Sequence, residues 1–498
     1  MKKTSLLGIC LAAAVGAAVA LGIAHFADWS RDRQPAIGVS STPVNRDARS
    51  GTSYAPVVKK AAPSVVNIFT TRFIKERPNP FQNDPFFRQF FGARSGGPRK
   101  EQSLGSGVIV SADGYILTAN HVVAEADEIK VAVPGNKNEF IAKVIGKDSA
   151  TDVAVLKISA TGLPAVTLAD SDQLEVGDTV LALGNPFGIG QTVTMGIISA
   201  LGRGNFPFGQ ISQYENFIQT DAAINKGNSG GALVDAEGRL IGINTAIISP
   251  TGGSLGIGLA VPINLARNVL ERLIAGGKVT RGYSGILAQD VDANLAQQFN
   301  LPGENGALIS DVLPDSPAQK AGLKSGDVIL ALNGKVIADA HNLDLAISQL
   351  LPGTKALVKI FRNGAEKIIS VTLDELSDED SSPENQDAAT TTATKADMLD
   401  GVTVADMDDP VRQQLQMPAG LNGALVARVS RESNAAEAGL RPNDLIVEIN
   451  RQPVNNSAEA VRICKAARSG QLLVKVWRRF GSLAGTRYLT VDNTKRVK

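Results

Sequence analysis

Val153-Ala154-Val155-Leu156 is one of several short apolar runs that decide the fold of the first half of the chain. Gly, Asp and Asn residues separate these runs, which is typical of short strands joined by tight turns. The pattern predicts an all-β barrel or sandwich from Val57 to about Ile274, closed by a helix from Ile263 to Ile274. The other runs are Val65-Val66-Asn67-Ile68, Gly107-Val108-Ile109-Val110, Tyr115-Ile116-Leu117-Thr118, Val180-Leu181-Ala182-Leu183 and Leu240-Ile241-Gly242-Ile243.

The size, charge and cysteine content of the chain limit its class. Its 498 residues suggest about three domains. The charges nearly balance, with 50 basic and 49 acidic residues, and give no reason to expect nucleic acid as a partner. Cys10 lies in the N-terminal apolar segment, and Cys464 lies in an apolar helical pattern that indicates a core residue. The one cysteine that export would leave cannot form an internal disulfide, and its setting argues against thiol catalysis.

The N-terminus predicts export. Two lysines precede an uncharged, mostly apolar stretch from Leu6 to Ala24, in which Ala18 and Ala20 offer a small-residue cleavage site. The stretch is also close to the roughly 20 residues needed to span a bilayer. Residues 1–24 are therefore either a cleaved signal peptide or an uncleaved signal anchor, and both place the rest of the chain outside the cytoplasm. Residues 25–55 lack periodicity and are interpreted as a flexible tether.

The second half of the chain contains an internal repeat. Asn305-Gly306-Ala307-Leu308 recurs as Asn422-Gly423-Ala424-Leu425, and the stretch from Ala321 to Ile329 recurs from Ala438 to Ile446 with the same offset. Equal offsets indicate two homologous modules in tandem. The acidic, Ser/Thr-rich segment between them, residues 376–398, is interpreted as a solvated linker.

Ser229 is the candidate nucleophile. It lies in the turn Gly227-Asn228-Ser229-Gly230-Gly231, where glycines allow successive N–H groups to point at one spot. An oxyanion hole is expected at Gly227, Asn228 and Ser229, and each donor of such a site is worth roughly 3–4 kcal/mol. Taken alone, the same residues could form an ordinary Gly-rich turn.

His121 and Asp152 are the candidate base and its orienting carboxylate. Of the three histidines, only His121 lies in the β-rich region, directly after a predicted strand. Asp152 borders the buried run that begins at Val153, whereas Asp148 is the competing carboxylate. A serine hydroxyl needs a neighbouring base that a third group holds in one tautomer. The order His, Asp, Ser in a β-rich region is that of chymotrypsin, and it differs from the orders in subtilisin and the α/β-hydrolases.

Longer blocks around these residues resemble the catalytic blocks of the HtrA (Do/DegP/DegQ) periplasmic proteases, and the two repeats resemble the PDZ domains of that family. The resemblance covers nearly the whole chain after residue 24. It implies a mainly β fold, with a trypsin-like double β-barrel protease domain over residues 56–276 and α+β PDZ domains over residues 281–375 and 399–494. The blocks are Thr118-Ala119-Asn120-His121-Val122-Val123, Thr151-Asp152-Val153-Ala154-Val155-Leu156-Lys157 and residues Gln219 to Leu233.

The resemblance also implies a specificity pocket and a regulatory loop. The pocket is expected near Ile224, Ile247 and Leu255 and would accept small or medium aliphatic side chains, while Arg203 is expected in a loop that senses peptide engagement. An insertion from Thr71 to about Ser103 either takes part in oligomer assembly or packs on its own barrel as a short helix. Its aromatic residues are Phe81, Phe86, Phe87, Phe90 and Phe91.

The first repeat carries a candidate peptide-binding loop, Tyr283-Ser284-Gly285-Ile286. This loop matches the one whose N–H groups bind the C-terminal carboxylate of a peptide while the peptide adds a strand to the sheet. Hydrophobic peptide C-termini are therefore expected at the first PDZ domain. In the second repeat Asp400 would repel a carboxylate, which predicts weaker or different ligand binding there, or a role in assembly.

These residues predict a periplasmic, ATP-independent serine endopeptidase that degrades unfolded or mislocalised envelope proteins. The sequence lacks the Gly-x4-Gly-Lys-Ser/Thr nucleotide motif, and no metal or other cofactor is expected. The resemblance implies a trimer-based homo-oligomer or a larger cage, and membrane contact only through an N-terminal anchor. The alternatives are a non-degradative chaperone or PDZ scaffold, and a membrane-anchored regulatory protease of narrow specificity.

Overall fold

The computed structural model of the protein describes residues 37–40, 42, 53–74, 99–185, 190–204, 206, 211–250, 252–376, 395–399, 401–418, 420–467, 470–480 and 483–494. The chain divides into two units, with the boundary after Val279. The predicted signal segment and the five phenylalanines of the predicted insertion lie outside the described residues. Within those residues no helix has the length and apolar character needed to cross a membrane.

The first unit contains two closed six-stranded barrels, with strand orders β1-β2-β3-β6-β5-β4 and β10-β11-β12-β9-β8-β7. This confirms the predicted trypsin-like double barrel. The strands of the first barrel are β1 (Val65–Ile74), β2 (Arg99–Ile109), β3 (Tyr115–Ala119), β4 (Glu128–Ala132), β5 (Glu139–Asp148) and β6 (Val153–Ile158). Those of the second are β7 (Thr179–Gly184), β8 (Thr192–Arg203), β9 (Phe217–Thr220), β10 (Ala232–Asp235), β11 (Leu240–Ile247) and β12 (Gly258–Pro262).

The unbroken apolar runs reflect strands that are buried on both faces. In β6, Ala154 and Leu156 belong to the core inside the first barrel, whereas Val153 and Val155 belong to a larger core that both barrels share. Successive side chains of a strand point to opposite faces. A strand between two cores therefore shows no polar alternation, which is why the sequence reads as a continuous hydrophobic run.

The helix that closes the first unit packs into the shared core. Helices α1 (Ala55–Ala61) and α2 (Asn120–Val123) precede it, and α3 covers Ile263–Gly276, two residues longer than the predicted helix. Leu265, Val269 and Leu273 of α3 are buried in the shared core. Gly277, with φ +72°, ends the helix in the left-handed conformation.

Part of the predicted tether contacts the second barrel, which corrects the prediction for residues 37–40 and 42. Val39 forms a parallel bridge with Leu168, and the N–H of Ser40 donates to the carbonyl of Leu168 at 2.9 Å. The guanidinium of Arg239 donates to the carbonyl of Thr42 at 2.7 Å. Backbone bonding of this kind leaves no signal in side-chain periodicity, so the composition of the segment did not reveal it.

The second unit contains two PDZ-type sheets. In the first, the order is β14-β15-β16-β18-β19, with β17 paired to β16 and with β13 paired separately to β20. Its strands are β13 (Gly282–Tyr283), β14 (Ile286–Asp290), β15 (Ala307–Val312), β16 (Val328–Leu332), β17 (Lys335–Val336), β18 (Lys355–Arg362), β19 (Ala365–Thr372) and β20 (Asp374–Glu375). Its helices are α4 (Ala293–Gln298), α5 (Pro317–Lys320) and α6 (Ala340–Ser348).

The second sheet follows the same plan with one additional strand at its start. The order is β21-β22-β23-β24-β26-β27, with β25 paired to β24. Its strands are β21 (Lys395–Leu399), β22 (Val402–Asp406), β23 (Ala424–Val429), β24 (Leu445–Ile449), β25 (Gln452–Pro453), β26 (Gln471–Phe480) and β27 (Leu483–Asp492). Its helices are α7 (Asp409–Gln414), α8 (Asn434–Glu437) and α9 (Ser457–Ala466).

The strand β21 corrects one predicted boundary. Its first four residues, 395–398, fall inside the segment that was interpreted as a linker, and the second PDZ sheet therefore begins before residue 399. Met398 is 6% exposed and belongs to the core of the second PDZ domain. One buried side chain among charged and small residues is a weak signal, so the composition suggested a solvated segment.

A buried ion pair explains the clearest part of the sequence repeat. In the first PDZ domain Arg362 makes a two-pronged contact with Asp327, with N···O distances of 2.5 and 2.6 Å. In the second, Arg478 binds Asp444 with the same geometry, at 2.6 Å for both contacts. Bidentate pairing fixes the guanidinium plane and is among the stronger hydrogen-bonded arrangements. Each pair ties the turn before a central strand to the strand that lies beside it.

The two PDZ domains also touch each other inside the second unit. Tyr488 of β27 packs edge-on against Phe299, with ring centroids 5.4 Å apart. Its backbone exchanges two hydrogen bonds with the side chain of Gln289, at 2.8 and 3.0 Å. Desolvation at this contact raises the pKa of the Tyr488 hydroxyl.

Cys464 lies in the core of the second PDZ domain, which confirms its interpretation as a core residue. The side chain sits on α9 and is 3% exposed. Burial raises the pKa of its thiol to about 12. The thiolate is the reactive form of cysteine, so this residue carries no chemistry at neutral pH.

Candidate active site

His121 is held where the first barrel opens toward the second. Strand β3 ends at Ala119, and His121 is the second residue of the short helix α2. The backbone N–H of His121 donates to Oδ1 of Asp152 at 2.9 Å, and its ring Nδ1 donates to Oδ2 at 2.7 Å. Since a carboxylate only accepts hydrogen bonds, Nδ1 carries a proton, and in the neutral imidazole the lone pair is then on Nε2. The arrangement prepares the ring to act as a base.

Asp152 combines burial with an unusual backbone. Its side chain is 9% exposed, against 49% for that of His121. Its φ is +58°, in the left-handed region that residues other than glycine seldom adopt. Such conformations concentrate at functional sites because the surrounding structure must hold them. Asp148, the competing carboxylate, instead accepts a hydrogen bond from the hydroxyl of Thr151.

The Ser229 turn is shaped by glycines with positive φ. Gly227 has φ +102° and Gly230 has φ +81°. A Cβ on Gly230 would lie 2.2 Å from the Ser106 carbonyl oxygen and from the Thr118 hydroxyl. The turn therefore cannot accept a side chain at this position, which explains the glycine that follows Ser229.

Two backbone donors of the turn are free to bind an anion. Among the described residues, the N–H groups of Gly227 and Ser229 make no hydrogen bond to the protein. The N–H of Asn228 donates instead to the carbonyl of Asn225 at 3.0 Å. Three residues were predicted for the oxyanion hole. The backbone N–H groups of Gly227 and Ser229 are available to bind an oxyanion, whereas that of Asn228 is already hydrogen-bonded.

Thr245 on β11 contacts both Asp152 and Ser229, a role that sequence analysis did not predict. Its hydroxyl donates to Oδ2 of Asp152, and its carbonyl accepts a hydrogen bond from the Ser229 hydroxyl at 3.2 Å. No hydrogen bond joins the Ser229 hydroxyl to His121 in this part of the described chain. A threonine in a strand is common, so only the tertiary contact reveals the role.

Ser106 on β2 ties the same turn to the first barrel. Its backbone N–H donates to the Ser229 carbonyl at 2.9 Å, and its hydroxyl donates to the Gly227 carbonyl at 2.7 Å. The same hydroxyl accepts from the N–H of Asn185 at 2.8 Å. The side chain is fully buried. In the sequence, the one indication of this role is the small and polar pattern Gly105-Ser106-Gly107 at the start of an apolar run.

The predicted pocket residues do not all meet. Ile224 is buried in the core of the second barrel, and Ile247 at the end of β11 packs against the same cluster. Leu255 is 60% exposed and lies outside that cluster. Arg203 is exposed at the end of β8, where its Nε donates to the side-chain carbonyl of Gln219 at 2.9 Å. The apolar pair Ile224 and Ile247 is therefore the part of the prediction that the fold brings together.

The predicted peptide-binding loop of the first PDZ domain turns at Gly285. This glycine has φ +72°, and an added Cβ would lie 2.2 Å from Cβ of Ser316. Its carbonyl accepts from the N–H of Leu313 at 2.9 Å. Tyr283 ends β13 before the loop and Ile286 begins β14 after it. Ser284 is buried, and its hydroxyl accepts from the N–H of Ile286 at 3.3 Å.

Family models match the chain in three places. Residues 105–243 match the trypsin-like peptidase domain. Residues 283–373 and 425–478 each match a PDZ domain model. The first match contains His121, Asp152 and Ser229, and the other two fall on the two PDZ-type sheets.

Curated relatives match nearly from end to end. The periplasmic serine endoprotease DegP of Escherichia coli (strain K12) is 38% identical over 487 residues, which cover 93% of this chain and 95% of that protein. A probable periplasmic serine endoprotease, DegP-like, of Chlamydia muridarum is 39% identical over 494 residues, covering 95% and 92%. Among solved structures, the HtrA-type protease AlgW with a decapeptide is 46% identical with a TM-score of 0.52, covering 66% of this chain and 99% of that one.

Proposed function

Because the chain belongs to the HtrA/DegP family of periplasmic serine endoproteases, we propose that His121, Asp152 and Ser229 are its catalytic triad. The protein is a periplasmic serine endopeptidase with a trypsin-like domain and PDZ domains. One observation carries the assignment of residues: both oxygens of the buried Asp152 carboxylate bind His121, one at the ring and one at the backbone.

The reaction begins when the Ser229 hydroxyl leaves the Thr245 carbonyl and turns toward the imidazole of His121. Nε2 takes the hydroxyl proton as Oγ attacks the scissile carbonyl carbon, and the imidazolium that forms is stabilised by the Asp152 carboxylate. The N–H groups of Gly227 and Ser229 bind the oxyanion. His121 then gives its proton to the leaving amine, and a water molecule, activated by the same imidazole, releases the acyl group and restores Ser229.

Labelling with a fluorophosphonate probe tests the nucleophile separately from turnover. We expect the probe to phosphonylate Ser229 in the wild type, with the modified residue identified by peptide mass spectrometry. Ser229→Ala and His121→Ala should lose both labelling and casein cleavage, whereas Ser254→Ala, a serine outside the turn, should keep both. Casein cleavage that survives in Ser229→Ala would exclude Ser229 as the nucleophile. The same variant, tested for suppression of aggregation, examines the predicted chaperone activity.

The substrates proposed for this site are unfolded polypeptides cleaved after small or medium aliphatic residues. The apolar neighbours Ile224 and Ile247 favour such side chains over charged ones. The absence of a nucleotide-binding motif from the sequence favours substrates that are already unfolded. The trimer-based homo-oligomer or larger cage stays a prediction that rests on the family resemblance, and the five phenylalanines of the predicted insertion lie outside the described residues.

We further propose that the first PDZ domain binds hydrophobic peptide C-termini and that this binding regulates cleavage. The left-handed turn at Gly285 and the adjacent strand β14 support a carboxylate-binding loop beside an edge that accepts a further strand. The related HtrA-type protease AlgW has been solved with a decapeptide and with a tripeptide.

Gly285→Ala should abolish the response of casein cleavage to added peptide, because the new Cβ would displace Ser316 and distort the loop. Gly364→Ala is the matched control: its φ of +79° carries the same backbone cost, and a Cβ there meets no atom within 4 Å. We expect the control to keep the peptide response and basal cleavage. Equal loss in both variants would show that backbone strain, not the loop, is responsible.

A further inference from the structure

The two PDZ domains place equivalent elements around their peptide grooves. Strand β14 pairs with β15 in the first domain as β22 pairs with β23 in the second. Helices α6 and α9 occupy the same position in the repeat. Gly285 and Gly401 have φ values of +72° and +73°, and their carbonyls accept from Leu313 and Ser430 at 2.9 and 2.7 Å. The groove-forming backbone is therefore the same in both domains.

The edge beside the groove is open in the first domain. Within the described residues, β14 is the outermost strand of its sheet and pairs only with β15. Helix α6 packs near β14. A peptide strand could add to this edge because the outward N–H and C=O groups of β14 have no strand partner there.

The corresponding edge in the second domain is covered by the chain itself. Strand β21 pairs antiparallel with β22, from Lys395 opposite Ala405 to Leu399 opposite Val402. It packs against α9 as well, so it lies in the place between strand and helix that a PDZ ligand takes. In the sequence only two residues, Asp400 and Gly401, separate Leu399 from Val402.

The inserted strand is anchored by side chains. Met398 and Leu399 join the hydrophobic cluster that includes Ala460, Ile463 and Cys464 of α9. The hydroxyl of Thr403 donates to the Asp397 carboxylate across the hairpin at 3.1 Å. Met398 and Leu399 lie at the end of β21 that is next to the Gly401 loop. When a strand adds to a sheet edge, pockets that receive its side chains give the binding its specificity.

We propose that Lys395–Leu399 is the built-in ligand of the second PDZ groove, which is thereby closed to peptide C-termini. The two-residue connection holds this strand at an effective concentration far above that of a free peptide. An incoming peptide would have to displace both the β21 pairing and the buried Met398. The closure of the second groove does not depend on the peptide binding that is proposed for the first domain.

Hydrogen exchange on the full chain tests the proposal, with Ser229→Ala used to prevent cleavage during labelling. The probe is a decapeptide with a C-terminal Leu and a free carboxylate, and its amidated form is the control. Without peptide, we expect segment 402–406 to exchange at least about tenfold more slowly than segment 286–290. Adding the peptide should protect 286–290 and leave 395–399 and 402–406 unchanged.

Two results would overturn the proposal. One is exchange of 402–406 as fast as that of 286–290 in the absence of peptide. The other is release of 395–399 when the peptide is added. If instead the exchange of 286–290 does not change when the peptide is added, the proposed peptide binding and regulation through the first domain are wrong. The protection of 402–406 still shows whether β21 closes the second groove.

A matched pair of variants checks the anchor. Met398→Asp should speed the exchange of 402–406, because it removes the buried side chain that holds β21, whereas Met398→Leu should behave as the parent protein. Protection of segment 471–480 reports whether the second domain remains folded. If it is lost in Met398→Asp, Met398→Ala replaces it. A domain that stays folded and shows no faster exchange of 402–406 in Met398→Asp or Met398→Ala contradicts the assigned role of Met398.

Discussion

Thr245 joins the orienting carboxylate and the nucleophile through two different atoms. Its hydroxyl supports Asp152, so it helps to hold the imidazole of His121, while its backbone carbonyl receives the Ser229 hydroxyl. The side chain is buried, with 3% of its surface exposed. A hydrogen bond to a charged, buried group contributes more than one at the surface. Thr245 is accordingly a positioning residue whose side chain acts through Asp152.

Thr245→Val should lower kcat/KM for casein-derived peptides by about tenfold, since it removes one hydrogen bond to the carboxylate and keeps the side-chain shape. KM should change little, because the side chain contacts no substrate in the proposed mechanism. Thr245→Ser restores the hydroxyl and should recover most of the activity. Steady-state kinetics with thermal unfolding of all three proteins provides the measurement. Equal losses in Val and Ser would assign the effect to packing and not to the hydroxyl.

Helix α3 is the element that completes the core between the barrels. Its buried leucines and valine meet residues of both barrels in one hydrophobic cluster. Full burial of such a side chain stabilises a protein by roughly 1.5–3 kcal/mol. The four residues Leu265, Val269, Leu270 and Leu273 together then contribute on the order of 10 kcal/mol, comparable with the net stability of a whole domain.

Truncation on either side of this helix should therefore have opposite outcomes. A chain ending after Gly277 keeps the shared core, and we expect a cooperative thermal transition together with fluorophosphonate labelling of Ser229. A chain ending after Pro262 loses the helix and should be unfolded or aggregated. Differential scanning calorimetry distinguishes the two. A folded, labelled protein that ends after Pro262 would show that the barrels hold together without α3.

At the scale of the whole molecule, two copies of one fold differ in what they offer to a partner. Both PDZ domains share the buried Arg–Asp pair and the left-handed glycine of the groove loop. They differ in what lies beside the groove strand, which is open in one copy and covered by β21 in the other. Two domains of the same fold can therefore differ in peptide binding, because the segment that precedes the groove strand covers its edge in one domain and leaves it open in the other.

The sequence predicted those parts of the molecule whose signals are local. Apolar runs such as Val153 to Leu156 predicted the barrel strands, equal offsets predicted two homologous modules, which the family resemblance identified as PDZ domains, and the single histidine of the β-rich region indicated His121. Thr245 and Ser106 were missed, because each depends on hydrogen bonds between residues far apart in the chain. A polar residue in such a contact looks like any other in the sequence. Strand β21 was missed although its partner β22 is close in the chain, because its charged and small residues are typical of a solvated segment.

The left-handed backbone of Asp152 limits what a substitution there can reveal. Alanine at this position would remove the carboxylate and also strain the turn, so the defect would mix chemistry with folding. Asparagine tolerates positive φ and keeps the shape of the side chain, so it separates the loss of charge from the loss of conformation. Any genetic survey that scores this codon by its alanine phenotype alone would therefore overstate the part played by the negative charge.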